Sequence, residues 1–132
     1  MKILLASNSH DVIARAGSLF TSPSSEIVHV LNNNELILLV NESQFDLLIL
    51  DERFDGFQAI EILPILRRLS PDLPIILLEE NTDYENEKLI VSYGVVFRII
   101  RMNFIDTNTD IDYYRKAFLH ISNWKSSKVA TY

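Results

Sequence analysis

Short apolar runs alternate along this chain with longer segments in which apolar residues return every three or four positions. Ile3 to Ala6 is apolar and gives way at once to Ser7-Asn8-Ser9-His10, the profile of a short buried strand. From His10 to Phe20, Val12, Ile13, Ala16, Leu19 and Phe20 recur at helical spacing. Thr21 to Ser25, with Pro23 among serines, reads as a loop. Glu26 to Val30 reads as a second strand and Asn33 to Val40 as a second helix. Phe45 to Leu50 is continuously apolar after Asp46, as expected of a strand covered by helices on both faces. Asp55-Gly56 predicts a turn and Gln58 to Leu69 a third helix, in which Pro64 must bend the chain or forfeit a hydrogen bond with Ile60. Pro71 and Pro74 bracket the turn into a fourth strand, Ile75 to Leu78. Asn81 to Tyr93 predicts a fourth helix stopped by Gly94, and Val95 to Ile100 a fifth strand. A last helix runs from about Asp110 to Trp124, with Ile111, Tyr114, Phe118 and Ile121 as its apolar stripe.

Strict alternation of five strands and five helices implies an α/β fold with a doubly wound parallel sheet and right-handed crossovers. In such sheets ligands collect at the carboxyl ends of the strands, near the switch in strand order. Ser7, Asn8, Asp51, Glu79 and Arg101 each lie at such an end and are the candidate site residues. The pattern fills residues 1–124 as one domain, leaving 125–132 as a C-terminal tail or the start of a linker.

Composition narrows the function classes. The net charge of −6 opposes broad contact with nucleic acid, which needs a basic face, and no run of Lys and Arg marks a local one. With no cysteine, disulfides, thiolate nucleophiles and cysteine-held metals are excluded. No apolar stretch approaches the roughly twenty residues of a membrane span, and the opening apolar run is too short for a signal peptide, so a cytoplasmic location is expected. His10, His29 and His120 share no metal-ligand spacing. Glu79-Glu80 is a paired carboxylate, but adjacent residues at a strand end point apart. A phosphate-cradling loop after the first strand would want glycine, and the first glycine is Gly17, inside the first helix.

Phe45-Asp46-Leu47-Leu48-Ile49-Leu50-Asp51 resembles the strand of bacterial response-regulator receiver domains that ends in their phosphoacceptor aspartate. Phe54-Asp55-Gly56-Phe57-Gln58-Ala59-Ile60-Glu61-Ile62 is similar to that family's Met-Pro-Gly-Met-Asp-Gly-x-Glu-Leu segment. Pro71 to Leu78 resembles its approach to the fourth strand, and Gly94 to Arg101 stands where it has Gly-Ala-x-x-Tyr-Leu-x-Lys. The resemblance covers nearly the whole chain and implies a flavodoxin-like sheet with strand order 2-1-3-4-5.

It also implies a site that has been largely dismantled. The phosphoacceptor position is Asp51. The acidic pair that helps hold Mg²⁺ falls on Ser7 and Asn8, which bind a hard divalent cation weakly. The Ser/Thr position is Glu79, whose carboxylate repels a phosphoryl group, and the Lys position is Arg101, which keeps the charge and changes its geometry. Met102 replaces the usual following proline, and Arg98 takes the aromatic-switch position. The expectation is therefore a pseudo-receiver, without cofactor or enzymatic activity, that binds a protein partner independently of phosphorylation. The alternative is a working receiver phosphorylated on Asp51 by a histidine kinase. In place of phosphate, Asp51, Glu79 and Arg101 are expected to close a salt-bridge cluster, joined by Arg53, since an arginine fork can satisfy two carboxylates. Partner binding, or homodimerisation, is expected on the face of the fourth helix, fifth strand and fifth helix, with Tyr84, Tyr93, Arg98, Tyr113 and Trp124 as contacts.

Overall fold

Five parallel strands carry the apolar runs of the sequence and lie in the order β2-β1-β3-β6-β7. They are β1 (Lys2–Ala6), β2 (Glu26–Val30), β3 (Leu47–Asp51), β6 (Ile75–Glu79) and β7 (Val95–Ile100). Counted over the sheet alone this is the expected 2-1-3-4-5 arrangement. Between β3 and the third helix, β4 (Arg53–Phe54) and β5 (Phe57–Gln58) form a separate antiparallel pair. The structure, a computed structural model, describes residues 1–20, 23–81 and 86–108, together with Lys116 and His120.

Every residue of β3 and β6 is buried, because helices cover both faces of the sheet. On one face Leu4, Leu48, Leu50, Ile75 and Leu77 pack with residues from α2 (Asn33–Glu42), α3 (Ala59–Leu69) and α4 (Glu87–Ser92). On the other, Ile3, Leu5, Ile49, Ile76 and Leu78 pack against Val12, Ala16 and Leu19 of α1 (His10–Leu19) and Phe104 of α5 (Arg101–Ile105). Successive strand residues alternate between the two layers, as the pleat requires. The Ser9 and Asn32 side chains accept the Val12 and Glu35 amides and so cap α1 and α2.

Two differences from the sequence expectation have identifiable causes, and one expected helix is described only in part. The Asp55-Gly56 turn closes a small hairpin: its φ angles of 54° and 78° are the left-handed pair that a two-residue hairpin turn requires. The fourth helix is described only over Glu87–Ser92, residues 82–85 lying outside the described residues. A short helix, α5, starts directly at the end of β7 where no element was expected. It is anchored by fully buried Phe104 and by Arg15, whose Nε donates to the Phe104 carbonyl at 3.0 Å and Nη2 to the Asp106 carbonyl at 3.2 Å. The expected last helix, 110–124, and the tail, 125–132, lie outside the described residues apart from Lys116 and His120, both helical.

The opposite end of the sheet is tied by one side chain. Arg67, near the end of α3, donates from Nε to the Tyr93 carbonyl at 2.7 Å and from Nη1 to Ser70 and Pro71 at 3.0 and 2.7 Å. Its Nη2 reaches Leu73 at 2.9 Å and Gly94 at 3.3 Å. The guanidinium thus joins the loops entering β6 and β7, and its partial burial pushes its pKa down from the usual arginine value. Gly94, at φ 80°, lies so close that a Cβ there would clash with the Arg67 guanidinium. Gly94→Ala is therefore expected to cost about 2 kcal/mol or more, from left-handed backbone strain and displaced charged hydrogen bonds. The urea midpoint of unfolding measures this, and Arg67→Met should shift it in the same direction.

Candidate functional site

At the carboxyl ends of β1, β3 and β6, Ser7, Asp51 and Glu79 are all buried. Asp51 closes β3 and is 3% exposed. Its Oδ2 accepts the Ser7 hydroxyl at 2.9 Å. Its Oδ1 accepts Arg101 Nε at 2.9 Å and also pairs with Arg101 Nη2. Both carboxylate oxygens are thus engaged within the chain. The remaining arm of the guanidinium, Nη1, lies 3.6 Å from Glu80 Oε1.

Glu79, also 3% exposed, belongs to a different pair. Arg98 meets it with both prongs of its fork, Nε on Oε1 and Nη2 on Oε2, the latter at 2.9 Å. The closed cluster of Asp51, Glu79 and Arg101 expected from the sequence is thus corrected to two separate pairs. The reason is strand register. Asp51 is paired in register with Leu78, which faces the α1 and α5 layer, so Glu79, one residue on, faces the other way. Arg101 opens α5 on the Asp51 side, whereas Arg98 stands in register with Leu77, on the Glu79 side. Arg53 does not join either pair: it is exposed on β4, and among the described residues no ion pair links it to Asp51.

The surrounding loops hold this arrangement. Glu52 Oε2 accepts the Glu80 amide at 2.9 Å, tying the end of β6 to that of β3. Asn8 Oδ1 accepts the Asp55 amide at 3.0 Å and its Nδ2 donates to the Leu31 carbonyl at 3.3 Å. His29 Nε2–H donates to the Ser7 carbonyl at 2.7 Å, fixing the start of the first loop. The contributions of Glu52, Glu80 and His29 were missed in the sequence, because contacts between segments far apart in the chain leave no local signal. Glu80 is half exposed while Glu79 is buried, as their adjacency at a strand end predicts. Of the expected interface residues, Tyr93 caps α4 and is half-buried, and Tyr84, Tyr113 and Trp124 lie outside the described residues.

Among the described residues, no group of three or more acidic or histidine side chains could hold a metal ion. A divalent cation such as Mg²⁺ takes six or so oxygen ligands, with carboxylates supplying charge. Here the Asp51 oxygens are engaged by a hydroxyl and a guanidinium, and the Asn8 amide is committed to two loops. The residues present do not fit Mg²⁺. Among the described residues no helix is long and apolar enough to cross a membrane.

No family model and no curated protein matches the chain in sequence. Similar folds are found among solved structures. One is a CheY-like response regulator receiver domain protein from Methanospirillum hungatei JF-1, 12% identical, covering 96% of this chain and 97% of that one with a TM-score of 0.79. Another is the signal receiver domain of an HD domain-containing protein from Pseudomonas fluorescens Pf-5, 15% identical, covering 98% and 91% with a TM-score of 0.81. The receiver domain of the Francisella response regulator 1452 is 18% identical, covering 92% and 96% with a TM-score of 0.73. The fold is that of a response-regulator receiver domain. At these identities the likeness concerns the fold, and the chemistry of the receiver-like site rests on this chain's own side chains.

The buried pairs make stability predictions. Arg98→Met leaves the Glu79 carboxylate buried without its fork and is expected to cost about 3 kcal/mol. Arg98→Met with Glu79→Leu removes both charges together and should recover most of that loss. A double-mutant cycle by urea denaturation reads the coupling, and additive effects of the two changes would contradict the pairing.

Proposed function

We propose that this chain is a pseudo-receiver: a signalling module that engages a protein partner without phosphorylation and without catalysing a reaction, in the cytoplasm. The observation that carries this reading is the Asp51–Arg101 pair. An aspartate that accepts a phosphoryl group needs a free oxygen for attack and a metal ion to neutralise the transferring oxygens. Here the guanidinium holds the oxygen and supplies positive charge without open coordination positions. Glu79 adds a carboxylate where a hydroxyl donor would be wanted, and Arg98 binds it in place. The two pairs hold the carboxyl ends of β3 and β6 in one arrangement with no added group. The same reasoning extends to the aromatic-switch position: an arginine forked onto a buried carboxylate does not swing as a ring does.

The partner surface in this reading is the side of α4 and β7, in the orientation that the expected homodimer would also use. Its support is the exposure of Leu89 and Val91 on α4 and of Met102 on α5, large apolar side chains left facing solvent. The competing reading, phosphorylation on Asp51 by a histidine kinase, makes the opposite chemical prediction.

Intact-mass measurement after incubation with acetyl phosphate and Mg²⁺ separates the two. The expected result is an unchanged mass for the native chain. The matched variant Ser7→Asp, Asn8→Asp, Glu79→Thr, Arg101→Lys is expected to take up one phosphoryl group. An adduct on the native chain that disappears in Asp51→Asn would overturn the proposal.

A further inference from the structure

At the end of the sheet remote from Asp51, the last turns of α2 and α3 border two adjoining depressions. An open cleft of about 390 Å³ is lined by Glu42, Phe45, Leu69 and Asp72 together with the loops entering β3 and β6. Leu69 also walls a smaller hollow of about 270 Å³, shared with Pro64, Ile65 and Arg68 on the outer side of α3. Ile65 is 43% exposed there, although it sits on a helix whose other apolar residues are largely buried. The seam is thus apolar along α3 and acidic toward the loop after α2. From Ile65 to Leu69 the distance along the helix is about 6 Å, two residues of an extended chain.

The acidic end is answered only in part from within the chain: Asp72 acts on the charge of Arg67, and Lys2 lies over the Phe45 ring that lines the cleft. The cleft lining contains Glu42 and Asp72 and no lysine or arginine. The last turn of α2 carries no basic residue, so its terminal carbonyls add negative potential. Arg67 directs its guanidinium to five backbone carbonyls, and the exposed Arg68 lines the adjoining hollow instead of the cleft. Asp72 acts on the Arg67 charge from nearby, yet among the described residues no ion pair joins Glu42 or Asp72 to any base. Lys2 places its Nζ over the Phe45 ring, 4.8 Å from its centre, and its backbone amide donates to Asp46.

We propose that this seam docks an extended basic segment of a protein partner. An apolar side chain enters the hollow over Ile65 and Leu69, and a Lys or Arg two or three residues along reaches Glu42 and Asp72. A second copy of this chain, itself carrying a net charge of −6, would bring like charge to the acidic cleft. Nucleic acid is disfavoured by the same sign. The proposal deepens the reading of the chain as an interaction module, but none of the seam residues bonds to Asp51, Glu79 or their arginines. Its failure would therefore leave the result of the phosphodonor experiment standing, and the reverse holds too.

The test uses the full chain labelled with ¹⁵N and three probe peptides, acetyl-Gly-X-Ser-Lys-Arg-Gly-amide with X as Leu, Ile or Phe. Charge-reversed peptides carrying Glu-Glu serve as controls. The expected result is saturable movement of amide signals confined to residues 40–45 and 64–72 with at least one basic peptide. Binding of the control should be weaker by about tenfold, and Glu42→Gln with Asp72→Asn should weaken the basic peptide about fivefold. Glu42→Gln alone should keep the native urea midpoint, since among the described residues its carboxylate has no ion partner. The double variant should show a cooperative transition, lowered only by the loss of the Asp72 charge near Arg67. No shifts, shifts elsewhere, or equal shifts with basic and acidic peptides would overturn the proposal. So would concentration-dependent shifts of the same signals without peptide, which would assign the seam to a second copy.

Discussion

Two carboxylates stand buried at the carboxyl ends of neighbouring strands, and the cost of that burial organises the functional end of the molecule. An ionised group removed from water is stable only if its charge and its lone pairs are met. Asp51 is met by Arg101 and Ser7, and Glu79 by the fork of Arg98. In each case the counter-charge comes from β7 or the residue that follows it, so the last strand and the start of α5 are bound to the centre of the sheet electrostatically as well as by backbone pairing.

The same two pairs are what the proposed reading of the site rests on. A receiver that cycles needs carboxylates left open to a metal and a hydroxyl left open to phosphate. In this chain Asp51, Ser7 and Glu79 are engaged by one another's neighbours within the fold. Arg98, at the diagonal position on β7, answers the buried charge of Glu79, so the two residues act as one unit.

The remote end of the sheet follows a different logic. Arg67 there answers backbone carbonyls instead of carboxylates, holding the loops that enter β6 and β7, while Gly94 supplies both the left-handed turn and the room for the guanidinium. Asp72, in the loop after α3, and Glu42, at the end of α2, are left facing an open cleft. One end of the fold is closed by its own charges and the other carries charges that face outward.

How much of this was legible in the chain depends on the range of the interactions. The apolar runs and helical spacings set β1, α1, β2, α2, β3 and α3 to within about two residues, because burial of strand and helix faces is a local pattern of period two or 3.6. The β4–β5 hairpin was legible only as a turn. Gly94 marked the end of α4 for an equally local reason, its positive φ. The positions Ser7, Asp51, Glu79 and Arg101 were legible as site residues because the carboxyl end of each strand can be read directly. Which acid met which base could not be read, because it turned on register: a one-residue offset between β3 and β6 sends Asp51 and Glu79 to opposite layers. The short helix α5 was missed for a related reason, since five residues carry little periodicity and Phe104 and Arg15 hold it from far along the chain. Local periodicity determined the elements, and long-range alignment of the strands decided the chemistry between them.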